Sequence, residues 1–255
     1  MPPEKIYFAS DVHLGSFYPG DTADREKKLV RWLDRIKRDA IAVYFLGDVF
    51  DYWYEYRYVA PRGHVRFLGK LAELSDLGIE IHLFAGNHDL WMFDYFTREF
   101  GAAVHREPVT VSLLGKTFFL GHGDEVGRRP LKYRILQRLF RSRLCQALYA
   151  AVHPRWTFGL ARRLSSLSRR NGLAAGRLKE AQERNVKALE EFARARLRTH
   201  PGINFFIFGH LHVLTDRTLT PDARLIVTGD WMQYFSYAEW DGEKLELKTF
   251  SDRTP

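Results

Sequence analysis

Short apolar runs recur along the chain, and most of them end in a cluster of glycine, histidine, aspartate or asparagine. Each run is short for a helix and is bounded by residues that favour turns, which is typical of buried strands. The runs occupy residues 6–10, 43–46, 79–84, 117–120 and 205–208. The pattern therefore predicts buried strands whose carboxyl ends carry polar side chains.

Helical periodicity separates the early strands, over residues 24–38 and 64–77. Alternation of strand and helix predicts an α/β core with a largely internal sheet, in which ligands bind just beyond the carboxyl ends of the strands. Beyond Gly209 the strand pattern returns over residues 225–228. Two further runs, joined by Asp241 and Gly242, indicate an antiparallel hairpin.

Residues 128–200 follow a different pattern, rich in alanine, leucine and arginine and without a strand signal. One helix face is apolar and the opposite face is basic. The apolar face carries Leu131, Ile135, Leu139, Leu144 and Leu148. A second long helix is predicted over residues 178–198. We therefore predict a core formed by residues 1–127 and 201–255, into which residues 128–200 are inserted as a helical cap.

Charge follows the same division. The chain has 39 lysines and arginines against 31 aspartates and glutamates, a net charge of +8. Residues 125–200 hold 19 of the basic residues and 5 of the acidic ones, so the remainder is mildly acidic. A basic segment on an acidic body favours an anionic partner. The single cysteine, Cys145, excludes an internal disulfide and a cysteine-rich zinc site, and we interpret it as a small core residue.

No apolar run approaches the ~20 residues that span a bilayer, and residues 1–5 do not lead into the apolar region of a signal peptide. We therefore expect a soluble, intracellular protein, for which peripheral contact with a membrane remains open.

Five polar clusters follow the predicted strands. They are Asp11-Val12-His13, Gly47-Asp48-Val49-Phe50-Asp51, Gly86-Asn87-His88-Asp89, Gly121-His122-Gly123-Asp124 and Gly209-His210-Leu211-His212. Aspartate and histidine are ligands of borderline divalent metals, and the glycines permit close approach of the backbone to a ligand. If these strand ends are extended, the two ligands of each Asp-x-His or His-x-His pair point the same way. Taken singly, Asp-x-His, Gly-Asp and Gly-Asn-His-Asp are typical of turns, whereas the His-x-His pair is a stronger indication of a metal site. The five together predict a metal site.

This order of blocks resembles the calcineurin-like metallophosphoesterase superfamily, from Asp11 to His212. The resemblance implies a four-layer α/β/β/α sandwich that binds two divalent metal ions, with manganese expected and iron, zinc or cobalt as alternatives. By motif, Asp11, His13 and His212 would hold the first metal. Asn87, His122 and His210 would hold the second, and Asp48 would bridge them.

Such a pair of cations clamps a phosphoryl group and activates a water, so the expected reaction is hydrolysis of a phosphoester or phosphoanhydride. Asn87 is expected to ligate a metal through its carbonyl and to donate to a phosphate oxygen. His88 is the residue expected to protonate the leaving oxygen or stabilise its charge, or else to orient other groups together with Asp89. Asp51 is interpreted as an orienter of ligands.

A closer resemblance is to the UDP-2,3-diacylglucosamine diphosphatase family. It is carried by residues 47–53, 91–96 and 227–231 and by a helical insertion between the fourth and fifth blocks. It implies cleavage of the pyrophosphate of a UDP-linked diacyl sugar to UMP and 2,3-diacylglucosamine 1-phosphate, in lipid A biosynthesis. The best-known branch has arginine at the position of His88, so this chain departs from it there.

The basic cap suits a substrate with two acyl chains and a diphosphate. Amphipathic helices over residues 131–151 and 160–167 would provide an apolar cleft and hold the enzyme at the inner face of the cytoplasmic membrane. Alternatively, their apolar faces pack on a partner helix. Candidate substrate contacts are Asp124, Arg128, Arg129, Tyr133, Arg169, Arg170 and Asn171. The aromatic run 51–58 either lines the cleft, stacking on uracil, or packs beneath the cap.

Two other functions remain as alternatives. A nucleotide or nucleic-acid phosphodiesterase of the same superfamily would also suit the positive charge. However, the basic residues alternate with apolar faces and no nucleic-acid motif is present, so we expect no nucleic-acid partner. The other alternative is a catalytically inactive scaffold, which the intact ligand set disfavours. We expect no obligate protein partner.

Overall fold

The computed structural model describes residues 4–16, 22–126, 138–154 and 175–252, together with Ile135, Trp156, Thr157 and Gly159. The elements of the first half are β1 (Lys5–Ala9), α1 (Thr22–Ile36), β2 (Ala40–Phe45), α2 (Val65–Asp76), β3 (Glu80–Phe84), α3 (Tyr95–Phe100), β4 (Ala103–His105), β5 (Val109–Leu113) and β6 (Lys116–Gly121). Those of the second half are α4 (Arg143–Ala150), α5 (Ala175–Thr199), β7 (Phe205–Phe208), β8 (Leu214–Thr220), β9 (Ala223–Thr228), β10 (Ser236–Trp240) and β11 (Leu245–Thr249).

The strands form two sheets. The first has the order β11-β10-β1-β2-β3-β4, in which β1 to β4 are parallel. The second has the order β5-β6-β7-β9-β8, with β6, β7 and β9 parallel at its centre. The central strands are those with the longest apolar runs because both of their faces are buried.

Three apolar clusters separate four layers. Phe8, Tyr44 and Ile207 belong to the cluster that joins the two sheets. The outer face of the first sheet is covered by α1, α2 and α3, and α1 contributes Leu29, Trp32, Leu33 and Ile36 at helical spacing. The outer face of the second sheet is covered by α5, through Val186, Leu189 and Ala193. The α/β/β/α sandwich is confirmed.

The predicted strands, the helices α1, α2 and α5 and the β10–β11 hairpin are confirmed. The elements missed by the sequence are α3, β4, β5 and β8, which are short or lie towards the edges of the sheets. In β8, exposed or half-buried positions replace the continuous apolar run, since only Leu219 is buried. An edge strand of this kind has no apolar pattern to reveal it.

The predicted helix over residues 131–151 is interrupted. Residues 138–141 are helical, Ser142 is extended (φ −71, ψ 129), and α4 starts at Arg143. Ser142 occupies the position before α4, but its side chain makes no capping hydrogen bond. Cys145 in α4 is half-buried, so its interpretation as a core residue is wrong. Residues 160–167 lie outside the described part of the chain.

The division into core and cap needs one correction. Because Val186, Leu189 and Ala193 are buried against the second sheet, this part of α5 belongs to the sandwich and not to a separate cap. The other boundaries of residues 128–200 stay a prediction. Within the described residues, none of the helices is both long enough and apolar enough to cross a bilayer.

Candidate metal centre

The polar clusters lie at one end of the two sheets. Asp11 follows β1, Asp48 follows β2 and Asn87 follows β3, all in the parallel part of the first sheet. His122 follows β6 and His210 follows β7, which are neighbours in the second sheet. The carboxyl ends of parallel strands meet at one edge, so both sheets deliver ligands to the same place.

The backbone of the ligand loops is not extended. Asp11, His13, Asp48, His210 and His212 all have positive φ, between 48° and 68°. The expectation that each pair points one way because of strand periodicity is therefore wrong. Left-handed residues other than glycine cost about 1–2 kcal/mol each and cluster at functional sites. Here the two loops stabilise each other, since the Asp11 N–H donates to Gly47 (3.1 Å) and the His13 N–H donates to Asp48 (2.9 Å).

Glycines before the ligands are required by close contacts, as the sequence predicts. A Cβ atom on Gly47 would lie 2.5 Å from Nδ1 of His122. A Cβ atom on Gly209 would lie 2.6 Å from Oδ2 of Asp11. A side chain at either position would displace a candidate metal ligand, His122 or Asp11.

Two groups of three side chains each place their ligand atoms within 4.8 Å of one another: Asp11 with His13 and His212, and Asp48 with His122 and His210. Asp48 lies between the groups, since its Oδ2 atom is 3.3 Å from Nε2 of His122 and 3.8 Å from Nε2 of His13. A third group, of His13, Asp51 and His88, adjoins the first. These groups are candidate metal sites that adjoin one another.

Three histidines have one ring nitrogen held by the protein and the other turned to the centre. Nδ1 of His122 lies 2.8 Å from the carbonyl oxygen of Leu46. Nδ1 of His13 lies 3.3 Å from Oδ1 of Asp51, and Nδ1 of His212 lies 3.2 Å from Oδ2 of Asp230. Such contacts fix the ring and direct Nε2 to a metal.

Buried polar atoms that lack a hydrogen-bond partner indicate that these residues fit divalent ions. Oδ1 of Asp11 and Nε2 of His13 are buried without a hydrogen-bond partner. Each such atom costs about 1–3 kcal/mol when left unpaired. Carboxylate, imidazole and carboxamide donors, without thiolates, suit manganese, iron or zinc. A bound cation would satisfy these orphaned atoms.

Charge in the centre favours a cation. Burial opposes ionisation of Asp48, yet the neighbouring His122 and His88 hold its pKa well below the usual range. Burial likewise works against a protonated His122, but the charge of Asp48 raises the pKa of this histidine well above its usual value. His13 is the exception, because burial lowers its pKa more than Asp51 and Asp48 raise it. The lowered pKa favours the neutral imidazole of His13, which is the form that binds metal.

Comparison with known proteins identifies the family. The model of the family described as calcineurin-like phosphoesterase matches residues 4–214. The chain belongs to this family.

Two curated relatives span almost the whole phosphoesterase. A UDP-2,3-diacylglucosamine hydrolase of Porphyromonas gingivalis is 51% identical and aligns with 97% of this chain and 98% of its own length. A UDP-2,3-diacylglucosamine hydrolase of Aeromonas salmonicida is 30% identical, over 97% and 95% of the two chains. Among solved structures, the phosphoesterase Yfce of E. coli superposes with a TM-score of 0.46 at 15% identity, over 98% of this chain and 95% of that one.

The two residues expected to act on the substrate lie beside the ligands of the phosphoesterase. Oδ1 of Asn87 is 3.4 Å from Nε2 of His122. The His88 N–H donates to Oδ1 of Asp48 (2.8 Å), and Nδ1 of His88 lies 3.1 Å from the carbonyl oxygen of Asp51. The His88 side chain is 24% exposed whereas that of Asp48 is 2% exposed, so His88 reaches the mouth of the centre.

The carboxylate of Asp89 connects the loop after β2 to the loop after β3. Its carboxylate accepts hydrogen bonds from the backbone N–H groups of Asp48 (3.3 Å), Phe50 (3.1 Å) and Gly86 (2.8 Å). Burial, and then the charge of Asp48, raises the pKa of Asp89 to about 7. This contact network supports the role of orienter for Asp89, while His88 is left to face the substrate side.

The predicted substrate contacts are placed only in part. Asp124 is 4% exposed and its carboxylate interacts with Glu125, so it lies within the body of the phosphoesterase. Its contact with substrate stays a prediction. The other candidates lie outside the described residues: Arg128, Arg129, Tyr133, Arg169, Arg170 and Asn171.

Aromatic residues that follow Asp51 contact helix α4 of the predicted cap. The hydroxyls of Tyr52 and Tyr149 are 2.9 Å apart, and the Tyr54 hydroxyl donates to the carbonyl oxygen of Gln146 (2.7 Å). The ring of Tyr149 also lies 4.9 Å from that of Tyr54 and 4.6 Å from that of Trp91, measured between centroids. Of the two interpretations offered by the sequence, these contacts support packing beneath the cap.

Two residues that contact candidate ligands, Arg25 and Asp230, and one that supports a neighbouring loop, Glu55, were not predicted from the sequence. Arg25 donates to the carbonyl oxygen of His13 (2.9 Å), and Asp230 contacts His212. Glu55 accepts from the backbone N–H groups that begin α3, including that of Phe93 (2.6 Å). Asp230 had a signal, a Gly-Asp pair after a strand like that at Gly47. Arg25 and Glu55 had none, because they resemble any charged residue of a helix or loop.

Proposed function

We propose that this phosphoesterase hydrolyses the pyrophosphate of UDP-2,3-diacylglucosamine to UMP and 2,3-diacylglucosamine 1-phosphate, a step of lipid A biosynthesis. The observation that carries the proposal is the 51% identity to a UDP-2,3-diacylglucosamine hydrolase over nearly the full length of both chains. The two adjoining groups of candidate metal ligands support it.

The centre provides the chemistry for this reaction. Asp11, His13 and His212 would hold one divalent ion, Asn87, His122 and His210 the other, and Asp48 would lie between them. When bound, the two ions neutralise charge on the phosphoryl group and make a water nucleophilic at neutral pH. Manganese is the proposed native metal; iron, zinc and cobalt suit the same donors.

His88 is assigned the proton transfer to the leaving oxygen. Its exposure at the mouth of the centre gives it access to a bound substrate, while Asp48 lies beneath. Because Nδ1 faces the Asp51 carbonyl, Nε2 is the nitrogen that would carry the proton to the leaving group. The carboxamide of Asn87 would donate to a phosphoryl oxygen and orient it.

Contact with a membrane surface is the second part of the proposal. No residue of α4 is buried, and Leu144, Leu148 and Trp156 are 69%, 63% and 71% exposed. Apolar side chains exposed beside arginines are typical of segments that lie in the membrane interface. We place the enzyme in the cytoplasm, on the inner face of the cytoplasmic membrane, where a diacyl substrate would be held.

A basic cavity of about 350 Å³ lies between α4 and the loop after Asp89. Its lining includes Arg106, Arg141 and Arg143 against one carboxylate, that of Glu107, with Leu90 and Phe93 as apolar wall. Arg141 pairs with Glu107 (2.7 Å), which leaves a surplus of positive charge. The cavity is suited to an anionic lipid or substrate phosphate.

A comparison of substrates tests the proposed activity. Manganese-loaded enzyme would be assayed on UDP-2,3-diacylglucosamine, on UDP-N-acetylglucosamine and on a generic phosphodiester, with the Asp48→Ala variant as blank. We expect kcat/KM to be highest for the diacyl substrate by at least ~100-fold, since each acyl chain buries many methylenes. Equal rates on all three substrates would refute the lipid assignment. Preference for the diester would favour the alternative phosphodiesterase.

Vesicle binding tests the membrane contact separately. Sedimentation with vesicles containing phosphatidylglycerol should exceed that with neutral phosphatidylcholine vesicles. Arg143→Gln should weaken it about fivefold, corresponding to ~1 kcal/mol per basic residue near an anionic surface. The matched control is Arg198→Gln, an exposed arginine at the end of α5, which should leave binding unchanged. Equal binding to both vesicle types would exclude an electrostatic contact while leaving the activity unaffected.

A further inference from the structure

The turn between β9 and β10, residues 229–235, crosses from the second sheet to the first and passes the first ligand group. Asp230 is the only charged residue of the turn, and it is 1% exposed. A carboxylate this deeply buried is uncommon unless its oxygens are paired. The burial of Asp230 is therefore explained by the partners of its two carboxylate oxygens.

The two oxygens of Asp230 have different partners. Oδ1 accepts hydrogen bonds from the backbone N–H groups of Met232 (2.9 Å), Gln233 (2.7 Å) and Tyr234 (3.2 Å). Oδ2 lies 3.2 Å from Nδ1 of His212. The first oxygen closes the turn, and the second is held in place against the histidine.

The same turn also holds Asp11. The Trp231 N–H donates to the carbonyl oxygen of Asp11 (3.1 Å). Thr228, which ends β9, has its hydroxyl 2.7 Å from that of Ser10, and the Ser10 hydroxyl donates to Oδ2 of Asp11. Two of the three side chains in the first ligand group are thus positioned from residues 228–231.

We propose that Asp230 is a positioning residue that keeps the proton of His212 on Nδ1 and so presents Nε2 to the metal bound by Asp11, His13 and His212. Nε2 of His212 already faces this group, at 3.6 Å from Oδ1 of Asp11. A carboxylate can only accept, so it selects the tautomer with the proton on Nδ1. The inference uses the metal centre of the proposed function but not its substrate.

Asn at this position separates the two roles of Asp230. Its carbonyl oxygen can still accept the three N–H groups of the turn, which preserves the fold. Its amide group would then face Nδ1 of His212 as a donor and favour the tautomer with the proton on Nε2. That tautomer has no lone pair for the metal, so the carboxylate and the amide should differ in metal binding.

Metal titration of the purified full-length protein tests this without substrate. We expect Asp230→Asn to weaken one of two Mn²⁺ binding steps by about 10–100-fold, the usual effect of losing a partner behind a ligating histidine. The control is Asp241→Asn, because Asp241 also closes a turn, accepting from the N–H groups of Glu243 (2.9 Å) and Lys244 (2.7 Å). This control should leave both binding steps unchanged.

A purely structural role for Asp230 would lower the melting temperature of the metal-free protein and leave both Mn²⁺ affinities intact, which would overturn the proposal. If the Asp230→Asn variant does not fold, the tautomer of His212 is tested in the wild-type protein instead. Long-range ¹H–¹⁵N spectra of the zinc-loaded protein should show His212 protonated on Nδ1. Protonation on Nε2 would overturn it. Loss of the substrate preference proposed above would change none of these results.

Discussion

The metal centre and the cap helix α4 differ in almost every physical property. Asp11, Asp48 and His122 of the centre are at most 2% exposed and lie in loops that hydrogen-bond to each other. By contrast, α4 has no buried residue. Its contacts with the body include those of Tyr149, whose hydroxyl meets that of Tyr52 and whose ring packs on Trp91. The carbonyl oxygen of Gln146 also accepts a hydrogen bond from the body.

The contrast indicates which part of the molecule must be rigid. Ligands of a metal pair must be held within about half an ångström, and buried backbone contacts achieve this. The membrane contact proposed for α4 instead requires exposed apolar and basic side chains. The net charge of +8 does not reveal this difference between body and cap. It is the sum over a basic segment, residues 125–200 with 19 basic and 5 acidic residues, and an acidic remainder. The acidic remainder carries the candidate metal ligands.

The largest effect is expected at the shared carboxylate. Asp48→Ala removes a ligand that lies between both groups, so turnover should fall by well over ~100-fold, more than the loss of an outer partner typically causes. Mn²⁺ content should fall as well, measured by elemental analysis after gel filtration. Circular dichroism should show a folded chain, since apolar clusters maintain the sandwich. Near-normal turnover in a folded Asp48→Ala protein would be incompatible with the two-metal centre.

A pair of glycine variants distinguishes ligand geometry from backbone strain. Gly47 and Gly78 both have positive φ (95° and 78°), but only the Cβ of Gly47 would meet His122. Both alanine variants should lose about 1–2 kcal/mol of stability through strain. Only Gly47→Ala should also lose metal affinity and turnover, by about 10–100-fold, as His122 is displaced. Denaturant unfolding and Mn²⁺ titration measure the two effects, and equal metal affinity in both variants would contradict this steric account.

Weakening the cap should affect substrate recognition while the chemistry persists. Tyr149→Ala removes ring contacts with Tyr54 and Trp91 and the hydroxyl contact with Tyr52. We expect KM for the diacyl substrate to rise about tenfold, with unchanged turnover of a small phosphodiester. The melting temperature should fall by no more than about 4 °C, the shift for ~1 kcal/mol in a domain of this size. A parallel loss on both substrates would mean that the cap also supports the metal centre.

The smallest effect concerns a histidine pair in the body, away from both regions. Nδ1 of His82 lies 3.0 Å from Nε2 of His105, at the β3–β4 edge, and Tyr44 stacks on His82. Burial lowers the pKa of both histidines, although Glu80 beside His82 opposes this for His82. The unfolded chain therefore takes up protons first as the pH falls. The stability that the pair contributes is fully present above pH ~6.5 and is lost as the pH falls from there towards the folded pKa.

Phenylalanine at position 105 would keep the stacking and remove one titrating ring. The free energy of unfolding of His105→Phe should therefore fall less between pH 7.5 and 5.5 than that of the wild type, measured by urea denaturation. The exposed His200 is the matched control, and His200→Phe should follow the wild type. An identical pH dependence for all three proteins would contradict a contribution from the His82–His105 pair.

Much of this molecule was predictable because its signals are local. Each central strand is a continuous apolar run followed by its ligand, as at residues 43–48, so element and chemistry are adjacent in the chain. Edge elements such as β8 and β4 were not predictable, since they lack a buried run. The break of the cap helix at Ser142 was also missed, because the apolar spacing continues across it.

The α/β class, the order of the polar blocks, the need for glycine before the candidate ligands and the basic character of residues 125–200 could all be predicted from local sequence patterns. The way in which the candidate ligands converge depends on tertiary contacts. Left-handed backbone at Asp11 and His212, and not strand periodicity, turns their side chains together. Asp230 reaches His212 because the turn between the sheets passes the first ligand group. Contacts between distant segments depend on how the two sheets pack, which no local pattern encodes.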